Sequence, residues 1–466
     1  MGVAPTAGQI KTLDAPAFGY NFNIEIPQSD GSRIDSPAFR SALARLSPGV
    51  LRIPGGTIGD FWNWPLGGYD DALAEGLPER RFPPGPLGLT LNVVLPVVEQ
   101  AGAEPHFTLN LFTRTLDENL ADLAEAQRLG FRVDWVEVGN EQYFRSDANA
   151  RAVFPTPTDY ARTAAVWSAA VGDRFPDARV LAVGPAPGPS DVFGTTEWFN
   201  PLAQEDVWST AEVAALHPYL GRGVVTLPTP TLADAEAMVS RWLMADAQLL
   251  STFDALLPRG VGIAITEFGV FEDTANVRAS GTWIQGLGQV ARAMALLAGP
   301  RVELLLTHAV TGDPRWASLV GPRGQAYDYA LGTPASGFLI NGVPVWNLTG
   351  LGYCTALLNT AAKNAESAFR LDLGQGQNVP LFGMGFRRAD GSQVSVFVNA
   401  TTESLPIAAP GSRLTLVSAE PWNGVYRPDQ IAVTRATSVT SFTLPSFSIA
   451  VLEGQGVAAL DLDFLP

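Results

Sequence analysis

The stretch "VDWVEVGNEQYF", residues 133–144, runs from an apolar, alternating segment into a glycine followed by two polar side chains. Alternation of this kind over a few residues predicts a β-strand with a buried face. Asn140 and Glu141 come at the end of that strand, directly after Gly139. A carboxylate in this position is either a solvated loop charge or a chemical group of an active site. The partners that the rest of the chain supplies decide between the two.

Seven other short apolar runs resemble this one and recur at regular intervals. The eight strand candidates are 17–24, 49–56, 105–112, 133–140, 179–187, 212–219, 262–269 and 302–309. Segments with apolar residues at helical spacing separate them, as in "LDENLADLAEAQRLG" from residue 116. Strands that alternate with helices pair in parallel, and eight such units predict a (β/α)8 TIM barrel over residues 16–365. A doubly wound sheet is the competing architecture, but no glycine-rich phosphate loop follows the first strand.

The pattern changes from about residue 366. Short strands separated by turn residues replace the alternation of strands and helices, as in "SQVSVFVNA" (392–400) and "SRLTLVSAE" (412–420). This texture is typical of a β-sandwich. We therefore predict an α/β protein in which a TIM barrel is followed by a C-terminal β-sandwich domain over residues 366–466, with residues 1–15 as a candidate addition to that domain.

Charge and cysteine content limit the partners of this chain. It has 466 residues and a formal charge of −16, which argues against nucleic acid and anionic membranes as ligands. Cys354 is the one cysteine, so there is no intramolecular disulfide and no thiolate metal cluster. No segment approaches the roughly 20 apolar residues of a membrane span. The first residues lack the features of a signal peptide, so we expect a cytoplasmic protein, or a secreted one if a leader has been removed. Whether the chain is a monomer or a homo-oligomer stays open.

The polar residues at the strand ends carry the functional argument, because TIM barrels hold their active sites at the C-terminal ends of the strands. Glu267 ends the seventh run, "GIAITEFG", much as Glu141 ends the fourth. Two glutamates on these strands face each other across the barrel mouth. Glycoside hydrolysis requires such a pair, one to protonate the leaving oxygen and one to attack the anomeric carbon. We therefore expect an oligosaccharide, a polysaccharide or an aryl or alkyl glycoside as substrate.

Short motifs around both glutamates resemble a known group of enzymes. "VGNE" (138–141) and "ITEFG" (265–269) look like the motifs of clan A, the large clan of retaining glycoside hydrolases with (β/α)8 barrels. Within it, "LRIPGGTIGDF" (51–61) most resembles the heparanase and β-glucuronidase family 79, while "LRIPGG" with "WNW" (62–64) is similar to the α-L-arabinofuranosidase family 51. The resemblance implies Glu141 as acid/base, Glu267 as nucleophile, double displacement with retention, and no metal or organic cofactor.

Further residues near the strand ends are candidates for substrate binding. We expect Arg52 to keep Glu267 ionised and Tyr219 to orient the same carboxylate. Asn140 is placed to bind the hydroxyl beside the anomeric centre, and His217 to hydrogen-bond to the acid/base or to sugar. Aromatic candidates are included because their rings can stack on sugar rings. The full set is Asn140, Arg52, His217, Tyr219, Glu25, Asn110, Trp62 and Trp316.

The motifs leave the sugar open. The first hypothesis is a β-glycosidase, either β-glucuronidase-like or specific for a neutral β-glycan, and the alternative is an α-L-arabinofuranosidase. A glucuronidase needs a clamp for the substrate carboxylate, for which Arg222 and Arg315 are candidates in the loops after strands six and eight.

Two hypotheses come from other functional classes. The three histidines, His106, His217 and His308, all fall within strand candidates, and three imidazoles can hold catalytic zinc. Against this barrel metallohydrolase, His106 lies near the start of its run and no His-x-His pattern is present. The other hypothesis is a catalytically dead carbohydrate-binding protein, against which both carboxylates are intact.

Overall fold

The computed structural model describes most of the chain, including all eight predicted barrel strands. The described residues are 6–25, 33–187, 191–220, 230–270, 279, 281–312, 316–321, 326–328, 333–335, 339–340, 343–374, 379–454 and 457–466.

Eight parallel strands form a closed barrel, as predicted. Each strand pairs with the next along the chain, and the eighth pairs with the first, which closes the sheet. In chain order the barrel strands one to eight are Phe18–Asn21, Val50–Ile53, Glu104–Thr108, Trp135–Val138, Arg179–Gly184, Val213–Leu216, Gly262–Val270 and Val302–His308. Because the strands are parallel, all eight C-terminal ends open at the same mouth.

Helices lie between the strands, and sequence signals mark where several of them begin. Thr115, Thr156 and Thr231 each accept a hydrogen bond from the third residue of the following helix, whose carboxylate binds back to the threonine N–H. This reciprocal capping satisfies backbone donors that the first helical turn leaves unpaired. The described α-helices are Pro37–Arg45, Leu91–Gln100, Leu116–Arg128, Ala148–Val153, Pro157–Arg174, Thr195–Gln204, Leu232–Leu256, Trp283–Leu297 and Gly350–Ala362, and the 3-10 helices are Gly56–Phe61, Val207–Ser209 and Pro428–Gln430.

The barrel strands are buried on both faces, which explains their apolar sequences. Outward residues pack under the helices, whereas inward residues fill the barrel interior. In the fourth strand, Trp135–Val138, all four residues are buried, and one of them is the charged Glu137. A charge in the middle of a buried strand requires a partner, because an isolated carboxylate is very costly to remove from water.

Further short strands lie in the loops between barrel elements and in the segment after the eighth barrel strand. Tyr219–Leu220 pairs with the end of the seventh barrel strand, beside Gly269 and Val270. The other short strands pair among themselves and are Trp62–Asn63, Gly68–Tyr69, Gly85–Pro86, Leu319–Val320, Ala326–Asp328, Thr333–Ala335, Leu339–Ile340, Val343–Pro344 and Asn347–Leu348.

The C-terminal domain is an antiparallel sheet of seven strands with a β-sandwich character, as predicted. In spatial order the strands are Thr6–Thr12, Ala365–Asp372, Leu381–Arg388, Gln393–Asn399, Ser448–Glu453, Leu405–Ser418 and Ala432–Leu444. Six of them contribute to a second hydrophobic core, separate from that of the barrel, which includes Phe369, Phe397 and Leu452. The sheet also contains the N-terminal strand, which pairs with Ala365–Asp372.

None of the helices in the described part of the chain combines the length and the apolar character that crossing a lipid bilayer requires.

Candidate active site

The two glutamates predicted from the sequence meet at the mouth of the barrel. Glu267 lies within the seventh strand near its C-terminal end, and Glu141 follows the fourth strand. A carboxylate oxygen of one lies within 4.8 Å of a carboxylate oxygen of the other. Glu267 is buried and Glu141 is partly exposed. The pair therefore combines a shielded carboxylate with one that a ligand can reach.

The backbone before Glu141 explains the glycine of the "VGNE" motif. Gly139 has φ of +92°, and a Cβ atom there would stand 2.5 Å from Nε2 of Gln142. Glu141 itself has φ of +58°, a left-handed conformation that costs a non-glycine residue about 1–2 kcal/mol. Strain of this kind is concentrated at functional sites, where the surrounding contacts hold it in place. The turn brings the Glu141 side chain to the barrel mouth instead of continuing the strand direction.

Arg52, at the end of the second strand, is the central cation of the site. Its Nε and Nη2 donate to the two oxygens of Glu137 at 2.7 and 3.1 Å. Its Nη1 donates to Glu267 at 2.7 Å and to Asn21 at 2.9 Å, and Nη2 also donates to Asn140 at 2.8 Å. A guanidinium has five N–H groups, so these five bonds occupy all of them. Arg52 thus orients Glu267 and also Asn140, the residue directly before Glu141.

Glu137 is the residue that our sequence analysis missed. It is fully buried in the barrel, chelates Arg52, and lies 3.2 Å from Nε2 of His106. Burial opposes its charge, but Arg52 and the adjacent imidazoles of His106 and His217 outweigh that effect and hold the pKa of Glu137 well below its usual range. A signal was present in the sequence: a charged residue between Val136 and Val138 in an otherwise buried strand.

Replacing Glu137 by Gln should lower the free energy of unfolding by about 3–5 kcal/mol, because it breaks a buried ion pair from one side. Urea denaturation followed by circular dichroism measures this loss. Glu125→Gln is the matched control, since it breaks an equally short pair with Arg128 that lies exposed on a helix, and it should remain close to wild type. Equal free energies of unfolding for Glu137→Gln and Glu125→Gln would contradict the structural role of Glu137.

Glu267 has the environment of a permanently ionised carboxylate. Beyond the bond from Arg52, its second oxygen accepts a hydrogen bond from the hydroxyl of Tyr219. Burial alone would raise its pKa, but the charges of His217 and Arg52 and the Tyr219 hydrogen bond outweigh burial, so that the pKa of Glu267 lies below its ordinary value. Arg52 and Tyr219 thus each contact one oxygen of this carboxylate.

Glu141 is held through one of its two oxygens. Oε1 lies 3.0 Å from Nδ1 of His217 and accepts a hydrogen bond from the Tyr143 hydroxyl at 3.1 Å. Burial disfavours a charge on His217, but the surrounding carboxylates, Glu267 first, outweigh burial and raise the pKa of the imidazole to about 9. His217 is therefore charged at neutral pH and donates from both nitrogens, Nε2 to Thr266 at 3.0 Å. Both hydrogen bonds to Glu141 use Oε1, and no residue in the described part of the chain donates a hydrogen bond to Oε2.

The side chains around the pair include atoms of the kinds that bind metal ions. Among the described residues, Glu141, His217 and Glu267 form the one group of three whose potential ligand atoms lie within 4.8 Å of one another. Both nitrogens of His217 are engaged within the protein, Nδ1 with Glu141 and Nε2 with Thr266. Both oxygens of Glu267 already accept hydrogen bonds. The donor set fits acid–base chemistry better than a metal centre, and within the described residues His106, His217 and His308 do not form the three-histidine zinc site that was considered as a rival hypothesis.

The remaining candidates lie in different surroundings. The Glu25 carboxylate is half-buried and accepts a hydrogen bond from the Tyr69 hydroxyl, and burial raises its pKa. Trp316 is partly exposed after the eighth strand, and its carbonyl accepts a bond from Ala309 N–H. Both stay candidates for substrate contact.

Two further candidates, Asn110 and Trp62, make contacts that hold the loops around the barrel mouth. The side-chain nitrogen of Asn110 donates to the Trp62 carbonyl and to Thr113, and its oxygen accepts from the N–H groups of Phe112 and Thr113. All its hydrogen-bonding capacity is used, so a sugar contact requires breaking one of these bonds. Trp62 is only 1% exposed and meets the rings of Trp64 and Tyr69 edge-on. Its ring packs the loop after strand two and presents no open face for stacking, contrary to our prediction.

Arg222 and Arg315, the predicted clamp for a sugar carboxylate, lie outside the described residues.

Comparison with solved structures places this arrangement in a known fold. An α-L-arabinofuranosidase from Thermotoga maritima, in complex with arabinose, has a TM-score of 0.62 at 17% identity and covers 96% of this chain and 99% of that one. A family 51 α-L-arabinofuranosidase from Bifidobacterium longum has a TM-score of 0.64 at 14% identity, covering 97% and 99%. The chain shares their fold.

A third similar structure carries a different activity. It is a 4-O-α-L-rhamnosyl-β-D-glucuronidase from Fusarium oxysporum, with a TM-score of 0.62 at 16% identity and coverage of 97% of this chain and 100% of that one. Solved structures with this fold therefore include more than one glycosidase activity. No family model matches the chain, and no curated protein matches its sequence.

Proposed function

We propose that this protein is a retaining glycoside hydrolase with Glu141 as acid/base and Glu267 as nucleophile. The observation that carries the proposal is the carboxylate pair at the barrel mouth, whose nearest oxygens lie within 4.8 Å. Carboxyl groups about 5–5.5 Å apart are typical of retaining enzymes, whereas inverting enzymes need roughly 6.5–9.5 Å for an intervening water. Nearest oxygens within 4.8 Å are compatible with the retaining spacing, which supports direct attack by a glutamate on the sugar.

The first chemical step assigns one task to each glutamate. Glu267 attacks the anomeric carbon and forms a glycosyl-enzyme ester, while the proton on Glu141 moves to the departing oxygen as its bond to carbon breaks. Arg52 and Tyr219 align the two oxygens of Glu267 before the attack. As the ester forms, the charge on Glu267 falls, and the buried Glu137 continues to balance Arg52.

The second step reverses the proton transfer. Glu141, now a carboxylate, takes a proton from water as that water attacks the anomeric carbon and displaces Glu267. The charged His217 and the hydroxyl of Tyr143 stabilise the carboxylate through Oε1, which leaves Oε2 to exchange the proton. Asn140, fixed through its oxygen by Arg52, keeps its NH2 group for the sugar hydroxyl beside the anomeric centre.

Two features favour a neutral sugar, with an α-L-arabinofuranoside as the first candidate. Several arabinofuranosidases share this fold over nearly the full length of the chain, whereas one glucuronidase does so among the structures compared. Moreover, the two cations that the described residues bring to the carboxylate pair, Arg52 and His217, use all their N–H groups within the protein. A uronic acid would therefore need a cation from elsewhere. A β-glucuronide is the second candidate, supported by the Fusarium structure.

Hydrolysis of a panel of 4-nitrophenyl glycosides tests this proposal. The panel contains the α-L-arabinofuranoside, the β-D-glucuronide, the β-D-xyloside and the β-D-glucoside, and we expect the fastest turnover on the first. Proton NMR during the first minutes should detect the anomer of the same configuration as the substrate. Initial release of the inverted anomer would contradict double displacement, and no turnover of any glycoside would contradict the proposed function as a whole.

A further inference from the structure

The side-chain amide of Asn21, at the end of the first strand, has an orientation that its neighbours determine. One of its two side-chain heavy atoms lies 2.9 Å from Nη1 of Arg52. A guanidinium only donates hydrogen bonds, so the Asn21 atom facing it must be the oxygen. The NH2 group of Asn21 therefore points the other way, and it lies 2.9 Å from Nδ1 of His308.

This orientation determines where His308 carries its proton. Because the Asn21 NH2 group can only donate, Nδ1 of His308 must accept, and a neutral imidazole then bears its hydrogen on Nε2. Burial agrees with a neutral ring, since it lowers the pKa of His308 despite the opposing charge of Glu267. The Nδ1 atom lies 3.4 Å from Oε2 of Glu267, so the ring adjoins the proposed nucleophile.

The Nε2–H group of His308 is left for a ligand. No described residue accepts a hydrogen bond from it, although the ring is held firmly by Asn21 on one side and by an edge-on contact with Tyr219, whose centroid lies 5.5 Å away. The side chain is 13% exposed. The donor is therefore oriented in advance and partly accessible, so a ligand can bind it without ordering the ring first.

We propose that Nε2–H of His308 is a substrate-binding donor that recognises the exocyclic group of the sugar in the site. This inference rests on the proposed glycosidase function. The fourth and eighth strands lie opposite each other in the barrel, so a sugar above Glu267 has Asn140 on one side of its anomeric carbon and His308 on the other. If Asn140 binds the hydroxyl beside the anomeric carbon, His308 faces the ring-oxygen side.

On that side the useful acceptor is the oxygen on the exocyclic carbon. A donor to the ring oxygen itself would oppose the positive charge that develops there in the transition state. The exocyclic oxygen is a hydroxyl in an arabinofuranoside and a carboxylate oxygen in a glucuronide, and both accept a hydrogen bond from a neutral imidazole.

Three substitutions at His308 separate this role from a structural one. His308→Gln can place an N–H near the position of Nε2, His308→Asn reaches only as far as Nδ1, and His308→Phe removes both nitrogens. On the best substrate of the wild type, we expect kcat/KM to fall about 10–100-fold for the Phe and Asn variants, the loss of one hydrogen bond to substrate, and to recover largely in the Gln variant.

Substrates without the exocyclic oxygen provide the decisive comparison. If the best substrate is the arabinofuranoside, its 5-deoxy analogue is used; if it is the glucuronide, the β-D-xyloside is used. On these analogues we expect kcat/KM of the Phe and Asn variants to lie within about threefold of that of the wild type, because the substrate already lacks the contact. Equal losses on parent and analogue would overturn the proposal while leaving the glycosidase function intact.

The proton position has a readout that is independent of activity. The chain has three histidines, so labelling with 15N-histidine produces three imidazole spin systems, and the one missing in His308→Gln belongs to His308. We expect the long-range proton–nitrogen pattern of a neutral ring protonated on Nε2 at pH 7. A His308 ring protonated on Nδ1, or on both nitrogens, would overturn the proposal without any measurement of activity.

Discussion

Glu267→Ala is expected to lower kcat/KM by at least about 10⁴-fold on every glycoside that the wild type cleaves, because the nucleophile is lost and no other group can form the glycosyl-enzyme. Azide should restore part of the activity on an activated aryl glycoside, since the anion fits the space that the carboxylate leaves. It attacks from the face that Glu267 occupied, so the product is a glycosyl azide of inverted configuration, which NMR identifies.

A second glutamate provides the control for this experiment. Glu212 lies just before the sixth strand, at the opposite end of the barrel from the mouth, where it pairs with Arg179. Glu212→Ala should keep turnover near that of the wild type and show no response to azide. Full activity of Glu267→Ala would remove the carboxylate pair on which the functional proposal depends.

Glu141→Ala is expected to show a loss that depends on the leaving group. A sugar alkoxide cannot depart without a proton, so cleavage of natural linkages should fall by several orders of magnitude, whereas an activated phenolate leaves unaided and its release should suffer far less. The glycosyl-enzyme then accumulates, because water is no longer activated by a base. Azide should accelerate its breakdown and produce a glycosyl azide of retained configuration, opposite to the product of Glu267→Ala.

The comparison of leaving groups tests the assignment of Glu141. Its measurement is kcat/KM for a series of aryl glycosides whose phenols differ in pKa, with Glu212→Ala again as the control. Equal loss across the series, without any azide response, would show that Glu141 is not the acid/base. An inverted azide from this variant would exchange the roles of the two glutamates.

Much of the architecture was predictable because it depends on local pattern. The eight apolar runs coincide with the eight barrel strands, and helical spacing between them marks helices such as Leu116–Arg128. Local periodicity reports which face of an element is buried, and the alternation of strands with helices leaves few topologies. The order of the strands then implies which residues lie at the mouth of the barrel, so the proximity of Glu141 and Glu267 could be predicted from the sequence alone.

Side-chain packing in the loops was less predictable. Trp62 follows the second strand, as an aromatic platform for sugar would, yet its ring is enclosed by Trp64 and Tyr69. A strand-exit position indicates that a residue is near the mouth, but it says nothing about the direction of the side chain. That direction depends on loop segments distant in the sequence, which no local pattern reports.

From the order of its residues alone, this chain specifies a barrel with two glutamates at one end, because strand and helix periods are local properties and parallel strands bring their ends together. The charge states of the site have another origin. Glu137 becomes a buried anion, His217 a cation and His308 a neutral donor through contacts with residues on other strands. Proton positions follow from burial and from which atoms face each other across the barrel, and these relations exist only once the strands have closed.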